Sequence, residues 1–328
     1  MKMNLKNIIF ILGVLFLGSS CENFLDVHPK GEVTGKELLK DRKGFENALY
    51  GVYATMRNQT LYGRYLSYYT LDVMAQYYTS FGNTYVSELR AFNYKQTDVE
   101  TEFYNIWCKM YNNISNVNNI LENLDNISAS SLKYYPIYKG EALALRAFLH
   151  FDLLRLYGPS PAVGKEHKAI PYMEEFTNIA SRRLTVNQVL EKVAADLNKA
   201  RELMREVDSY GPNYADLEET YAQDKRLKNR RFHLNYYAAT ALLARVQLYA
   251  GNTTEALAAA REIIGTAETL PVAPFELVTE VTSADRLFQN ELLFGLEMKQ
   301  MKVVISDYFG EAASKANLNN NTHMLAFS

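Results

Sequence analysis

The sequence predicts an all-α fold, an irregular array of helices joined by long loops. Residues 140–158 (GEALALRAFLHFDLLRLYG) would be apolar on nearly every side of a helix, so other helices must cover them. Residues 242–264 (LLARVQLYAGNTTEALAAAREII) contain two helical stretches around Gly251, with small residues where two helices would touch. We expect the other helices to pack on the helix 140–158, and the loops to be held in place by those helices.

Composition sets the limits of the interpretation. The chain has 328 residues, of which 48% are hydrophobic, enough for one large domain or two. Its formal net charge of −2 provides no basic field to recruit nucleic acid. The 24 Tyr and 16 Phe stand against a single Trp. Tyrosine joins an apolar ring to a polar tip, which suits both wet helix interfaces and sugar-binding surfaces.

The N-terminus has the pattern of a bacterial lipoprotein signal. A positively charged start and the apolar run 8–17 are followed by the small residues 18–20 and then by Cys21. We predict a signal peptide over residues 1–20, with Cys21 lipidated at the start of a tether over residues 21–33. Lipidation would anchor the protein to a membrane without inserting it. The alternative is a plain secretory signal that is cleaved elsewhere.

If Cys21 is lipidated, Cys108 is the remaining thiol of the chain. No intramolecular disulfide is then possible, and stability must come from the core. Since Cys108 lies in an apolar helical stretch, we expect a buried, inert thiol there.

The first part of the mature chain predicts two helices and a loop. Thr34 and Glu37 have the spacing of a capping box, so a helix is expected over residues 34–57. A second helix is expected over residues 65–78. Residues 79–97 are polar, rich in aromatics and without periodicity, which predicts a surface loop.

The next two helices carry the strongest patterns. Residues 99–124 place apolar side chains at alternating steps of three and four, with Trp107 on that stripe. We therefore expect Trp107 to lie in the core. The less favoured alternative is that its ring forms a platform for a ligand. The central helix is predicted to start near Leu132 and to stop at Gly158, which Pro159 follows.

The following region alternates connectors with helices. Residues 159–184 contain prolines and are expected to form a connector between helices. Residues 185–204 predict an amphipathic helix with a threonine cap. Residues 210–231 are polar and include the basic run 225–231, for which a solvated loop or helix start is expected.

The hairpin of helices 235–250 and 253–264 follows the tetratricopeptide pattern, with Gly251 at its turn. The central helix ends in the same Leu-Tyr-Gly sequence, and residues 185–204 are its expected partner. Long insertions separate the two hairpins, so the repeat is irregular.

Beyond the hairpin, the sequence predicts a little β structure. Residues 291–298 and 303–305 are short and apolar, which favours a strand pair or irregular packing.

Four segments together resemble the SusD/RagB family, outer-membrane lipoproteins that bind nutrients, mostly glycans, for a SusC-like TonB-dependent transporter. The segments are Cys21–Val27 with Pro29, Gly51–Tyr53, Gly140–Gly158, and Ala238–Tyr249 with Glu291–Phe294. The resemblance implies a helical SusD-type domain over residues 34–265, tetratricopeptide-like in architecture. Residues 266–328 would begin a C-terminal portion that continues further in family members.

The resemblance also implies a function. The protein would capture an oligosaccharide, or a peptide, at the cell surface and deliver it to the transporter, with its N-terminal lipid in the outer membrane. Aromatic rings would stack on sugars while polar side chains bind hydroxyls. The candidate ligand residues from the segment 78–94 are Tyr78, Phe81, Asn83, Tyr85, Arg90, Asn93 and Tyr94. The alternative is that these rings pack on the helices and that the loop touches the transporter.

The sequence also bears on two other functional classes. A tetratricopeptide-type scaffold would have protein as its ligand, with the transporter as partner. Enzymatic chemistry finds little support, because the five His residues show no metal-ligand spacing and no His-Glu-x-x-His motif occurs. With 37 acidic residues in the chain, the sequence does not exclude the pair of carboxylates that a glycosidase needs. We expect no enzyme, no cofactor, no metal and no nucleic-acid partner.

Overall fold

A computed structural model divides the chain into two units, Met1–Leu38 and Leu39–Ser328, and the elements below belong to the second. The described residues are 38–79, 84–179, 181–212, 224–228, 230–265, 275, 277–278, 288–298, 301–306, 308 and 319–320. The predicted signal peptide, Cys21 and the tether lie outside these residues, as do Phe81 and Asn83.

The described part of the second unit is helical, which confirms the predicted fold class. Its helices are α1 Arg42–Met56, α2 Thr70–Met74, α3 Thr84–Arg90, α4 Thr97–Asp125, α5 Tyr135–Tyr157, α6 Val186–Met204, α7 Lys225–Lys228, α8 Tyr236–Ala250, α9 Thr253–Ile264 and α10 Met301–Ser306. Two short strands, β1 Tyr78–Thr79 and β2 Asn319–Asn320, pair antiparallel.

Helix α5 lies at the centre of the array. It packs mainly against α6 and α4, while α8 packs against α9 and α6, and α1 packs against α4. Nearly every side chain of α5 up to Leu154 is buried, as the apolar pattern predicts. The helix begins after Tyr134, which has a left-handed backbone (φ 67°), with Pro136 in its first turn, and it ends before Gly158.

Local signals at the helix ends mark the pairs α5–α6 and α8–α9. Thr185 and Gln188 form a reciprocal capping box at the start of α6. Gly251 joins α8 to α9 with a φ of 82°, a conformation that glycine adopts without strain. At Gly140, an added Cβ would lie 2.5 Å from Cγ of Met204, so this glycine lets α5 and α6 approach closely.

Four polar residues of α5 are buried, and each has a partner on another element: Glu141, Arg146, His150 and Asp152. Arg146 forms a bidentate pair with Asp196 of α6, at 2.6 and 2.7 Å. Asp152 accepts a hydrogen bond of 2.8 Å from the Tyr62 hydroxyl. These polar contacts fix the position of α5 among its neighbours.

The basic run departs from its prediction at Arg230. This side chain is fully buried and pairs with Glu141 of α5 and with Asp208, whose Oδ2 lies 2.8 Å from Nη2. His233 also approaches Glu141, at 2.9 Å. The expectation of a solvated segment is therefore wrong at this position, because two buried carboxylates require a cation.

The predictions for the first helices need correction. Helix α1 begins at Arg42, where the Asp41 side chain accepts a hydrogen bond of 2.8 Å from the backbone N–H of Gly44. The proposed capping box at Thr34 and Glu37 lies outside the described residues. The helix expected over residues 65–78 is reduced to α2, since the preceding chain folds into turns.

Three further predictions are wrong. The loop expected over residues 79–97 contains helix α3. Residues 303–305 lie in α10 and not in a strand. Cys108 is exposed and not buried, because it lies off the apolar stripe of α4.

Candidate functional site

The predicted ligand residues that are described do not converge on one site. The Tyr78 hydroxyl donates to the Asp72 carboxylate at 3.2 Å. The guanidinium of Arg90 donates to the Gln76 side-chain oxygen at 3.1 Å, and the Gln76 amide donates to the Arg90 carbonyl at 3.0 Å. Tyr78 and Arg90 are thus engaged with neighbouring protein groups.

Asn93 and Tyr94 lie on the surface after α3. The amide of Asn93 donates to the Glu88 carboxylate at 2.7 Å. Tyr94 is 50% exposed, and its ring meets Phe103 edge-on with 5.5 Å between centroids. Of the predicted set, Tyr85 alone lines a described cavity.

That cavity, which we call the Glu102 pocket, has a volume of about 360 Å³. Its lining residues are Arg64, Tyr65, Tyr69, Tyr85, Asp98, Thr101, Glu102 and Asn105. They combine aromatic faces with carboxylate, amide, hydroxyl and guanidinium groups.

The start of α4 positions one wall of the pocket. The Gln96 side chain caps the helix by accepting from the backbone N–H groups of Asp98 and Val99, at 2.7 and 2.9 Å. Residues 98, 101, 102 and 105 then follow at helical spacing and share one face. The turns between α1 and α2 supply the opposite tyrosines, and α3 supplies Tyr85.

Glu102 is the buried polar centre of this pocket, with 5% exposure. Its carboxylate accepts hydrogen bonds from the hydroxyl groups of Thr70 and Tyr85. Burial raises the pKa of Glu102, while the hydrogen bonds from Thr70 and Tyr85 and the charge of Arg64 act in the opposite direction. The bonds and the cation thus offset part of the cost of burying a carboxylate.

Arg64 provides the positive charge. Its guanidinium lies over the ring of Tyr65, 4.3 Å from the centroid, and it donates to the hydroxyl group of Tyr308. The Nε atom of Arg64 is buried and has no hydrogen-bond partner among the described residues.

The aromatic side of the pocket is ordered by ring contacts. Tyr69 stacks on Tyr85 with an interplanar angle of 6° and a centroid distance of 6.3 Å, and it meets Tyr308 edge-on at 5.1 Å. Burial raises the pKa of Tyr69 and of Tyr85, so both hydroxyl groups stay protonated near neutral pH. The pocket therefore presents hydroxyl groups, and not phenolates, to a ligand.

Sequence reasoning missed most of this site. Two signals could have indicated it: the polar residues at steps of three and four from Asp98 to Asn105, and the pair Tyr65 and Tyr69 one turn apart. Neither signal was connected with a cavity, because Tyr65 and Tyr69 were expected in a helix over residues 65–78, whereas the chain before α2 folds into turns.

Within the described residues, no group of three or more His, Cys, Asp or Glu side chains is arranged to hold a metal ion. Among the same residues, no helix has the length and apolar character needed to cross a bilayer.

Comparison with known proteins places these features in a family. The SusD-like protein P38 of Formosa agariphila is 28% identical over 204 residues, which is 62% of this chain and 37% of that protein. A SusD superfamily crystal structure from Bacteroides fragilis superposes with a TM-score of 0.56 and 22% identity, over 74% of this chain and 51% of the other. A SusD-like carbohydrate binding protein from Bacteroides vulgatus gives a TM-score of 0.53 and 20% identity, over 69% and 45%.

The chain spans about half or less of the length of each of these relatives. The structural similarity supports the observed helical fold. A family model described as "starch-binding associating with outer membrane" matches residues 23–215, more than half of the chain. The protein belongs to this SusD-like family.

Proposed function

We propose that this protein is a cell-surface glycan-binding lipoprotein, which captures an oligosaccharide at the Glu102 pocket and delivers it to a SusC-like TonB-dependent transporter. The observation that supports the proposal is the composition of the pocket. Tyrosine faces lie beside Arg64 and Asn105, a combination that suits the apolar face and the hydroxyl groups of a sugar ring.

Each polar group of the pocket has a defined role in the proposal. Arg64 would place its guanidinium charge beside the bound sugar. Asp98, Thr101 and Asn105 are exposed on the same face of α4 and would bind further hydroxyl groups. Glu102 would hold the wall in place, because the protein's own hydroxyl groups already bind it.

The anchor and the partner are part of the same proposal. Cys21 would carry the lipid after removal of residues 1–20, and residues 21–33 would tether the helical domain 34–265 to the outer membrane. The association with the outer membrane in the family's description supports this arrangement. Residues 266–328 would begin the C-terminal SusD portion. Phe81 and Asn83 remain candidate ligand residues.

We propose that the Glu102 pocket binds a glycan and does not hydrolyse it. Asp98 and Glu102 lie one turn apart in the pocket, so a carboxylate pair is present. A general acid needs a proton free to reach the glycosidic oxygen. Because Thr70 and Tyr85 both donate to Glu102, its carboxylate is an acceptor for protein groups and is poorly placed for that role.

A scaffold or transporter lid is the second candidate, and exposed apolar side chains of the final hairpin favour it. Leu248 is 63%, Leu257 49% and Ile264 65% exposed on α8 and α9. Capture of a barrel protein together with no response on a glycan array would favour this function. Uptake of a peptide at the same pocket is the other alternative, and a peptide library would reveal it.

Calorimetric titration of the purified protein with maltoheptaose and with laminarihexaose tests the proposal. We expect measurable affinity for one of them, and about a tenfold loss in a Thr101→Ala/Asn105→Ala double variant, since exposed hydrogen-bonding groups are removed. Asn112→Ala, an exposed asparagine two turns along the same helix, is the matched control. Equal affinity in the double variant and the wild type would show that the pocket is not the site.

A further inference from the structure

A second cavity lies on a different side of helix α4. It has a volume of about 300 Å³, and Trp107, Tyr111 and Asn118 of α4 line it together with Pro171, Met173 and Glu175 of the connector that follows α5. We call it the Trp107 groove. Trp107 lies two residues beyond Asn105 of the Glu102 pocket, which at about 3.6 residues per turn places it on the opposite side of the helix. The two cavities are separate.

The connector wall of the groove is held by hydrogen bonds. The Tyr111 hydroxyl donates to the Pro171 carbonyl at 2.8 Å. The Asn118 amide donates to the carbonyl groups of Met173 and Glu175, at 3.0 and 3.1 Å. The wall is therefore preformed, and a ligand would not have to order it.

The same wall is tied to the buried core through Arg146. Its guanidinium donates to the Asn118 side-chain oxygen at 3.3 Å and to the Glu174 carbonyl at 3.2 Å, while it pairs with Asp196. A buried ion pair thus supports both Asn118 and the connector. Such support keeps a binding surface in one geometry.

A row of aromatic rings leads along the surface into the groove. From Tyr94 the ring contacts pass to Phe103 (centroids 5.5 Å apart), to Tyr157 (6.2 Å), to Trp107 (4.9 Å) and to Tyr111 (4.7 Å). All but the exposed Tyr94 are partly buried, including Trp107, which the sequence placed in the core. Trp107 and Tyr111 pack against the core on one side and line the groove as well, so part of each ring is available to a ligand.

The charge of the groove defines the ligand class. Glu175 is the charged residue of its lining, and no Lys or Arg side chain among the described residues lines it. An anionic ligand would meet a carboxylate and no compensating cation. Hydroxyl and amide groups from Ser115, Thr177 and Asn178 are available at the rim. The lining thus suits a neutral ring with one apolar face and several hydroxyl groups.

We propose that the Trp107 groove, with the aromatic row from Tyr94, is a second glycan-binding surface that holds neutral sugar residues by stacking on Trp107 and Tyr111. The ligand class rests on the proposed function, but the site does not depend on the Glu102 pocket. A second surface would let the protein hold an oligosaccharide at two points, or bind two segments of one polysaccharide.

The single tryptophan makes this inference directly measurable. Trp107 is the only Trp of the chain, so tryptophan emission reports on the groove. We expect maltoheptaose or laminarihexaose to change that emission in a saturable manner. Tyr111→Ala should weaken the emission-detected affinity about three- to tenfold through loss of a stacking ring. Tyr111→Phe keeps the ring but lacks the hydroxyl group, and it should retain the affinity of the wild type. This variant therefore controls for loss of the hydrogen bond to Pro171.

Tyr104→Ala is the matched control, since Tyr104 is an exposed tyrosine of α4 that lines neither cavity. Circular dichroism of all variants checks that the helices are intact. If calorimetry detects glycan while Trp107 emission stays unchanged, the second surface is wrong and the proposed function stands. If emission responds and the Thr101→Ala/Asn105→Ala variant binds normally, the groove stands and the Glu102 pocket is wrong. No binding by either method would overturn both.

Discussion

The Nε2 atom of His150 accepts a hydrogen bond of 3.0 Å from the backbone N–H of Met173. An acceptor nitrogen carries no proton, so the imidazole is neutral and its Nδ1–H faces the Arg146 carbonyl, 2.9 Å away. The ring also stacks on Tyr172, with centroids 3.8 Å apart. His150 thereby joins the core of α5 to the connector wall of the Trp107 groove.

This bond predicts a loss of stability in acid. Burial lowers the pKa of His150 from 6.5 to about 3, so the folded protein binds this proton more weakly than the unfolded chain. The contribution of His150 to the free energy of unfolding is complete above pH 6.5. It is lost as the pH falls towards 3, at about 1.4 kcal/mol per pH unit. Urea unfolding at several pH values between 7.5 and 5 measures the slope.

The contribution of His150 to that slope appears on comparison with His150→Gln, which does not titrate. The wild type should lose more unfolding free energy than this variant between pH 7 and 5. His167→Gln alters an exposed histidine and should behave as the wild type. Equal slopes for the wild type and His150→Gln would contradict the assignment.

Ala147→Leu should destabilise the protein by about 1–3 kcal/mol. Ala147 is fully buried on α5, where neighbouring helices leave no space for a larger side chain. Thermal and urea unfolding measure the loss, and glycan specificity should not change. Ala258→Leu on the exposed face of α9 is the control with the same substitution. A variant that kept its stability but lost glycan would show that α5 has a different role.

Arg230→Met should cost about 3–5 kcal/mol of unfolding free energy, because Glu141 and Asp208 would be left buried without their cation. Lys228→Met, an exposed position in the same basic run, should change stability by less than about 0.5 kcal/mol. Chemical denaturation compares the two. Similar stabilities for both variants would argue against the buried ion pairs.

Incubation with maltoheptaose or laminarihexaose should release no reducing ends. The reason is that Thr70 and Tyr85 already donate to both oxygens of Glu102. A reducing-end assay with an amylase as positive control measures this. Product formation by the wild type, and none by Glu102→Gln, would instead identify a hydrolase.

Much of the helical framework could be predicted, because its signals are local. Thr185 with Gln188 and the glycine at 251 act within a few residues of the helix ends that they define. The apolar stripe of α4 likewise depends on spacing alone. These elements appear where the pattern puts them, to within a few residues.

The failures at the buried ion pairs and at the pocket concern groups whose partners lie on other elements. Arg230 is buried because Glu141 lies 89 residues away and needs a cation. Tyr85 bonds Glu102 across the α3–α4 turn, and Arg64 reaches Tyr308, 244 residues on. The Glu102 pocket is assembled from such contacts. The spacing of Asp98 to Asn105 marks one wall of the pocket, but a single sequence contains no signal for the contacts that bring the other residues to it.

The polar contacts of α5 have a consequence for how the protein unfolds. In a regular helical repeat each unit touches only its neighbours, so unfolding can begin at one unit and spread along the array. Here Glu141, Arg146 and Asp152 connect one helix to a distant turn, to α6 and to the connector after α1. These links join α5 to three separate parts of the array, so we expect heating to melt α1 to α9 in one cooperative transition.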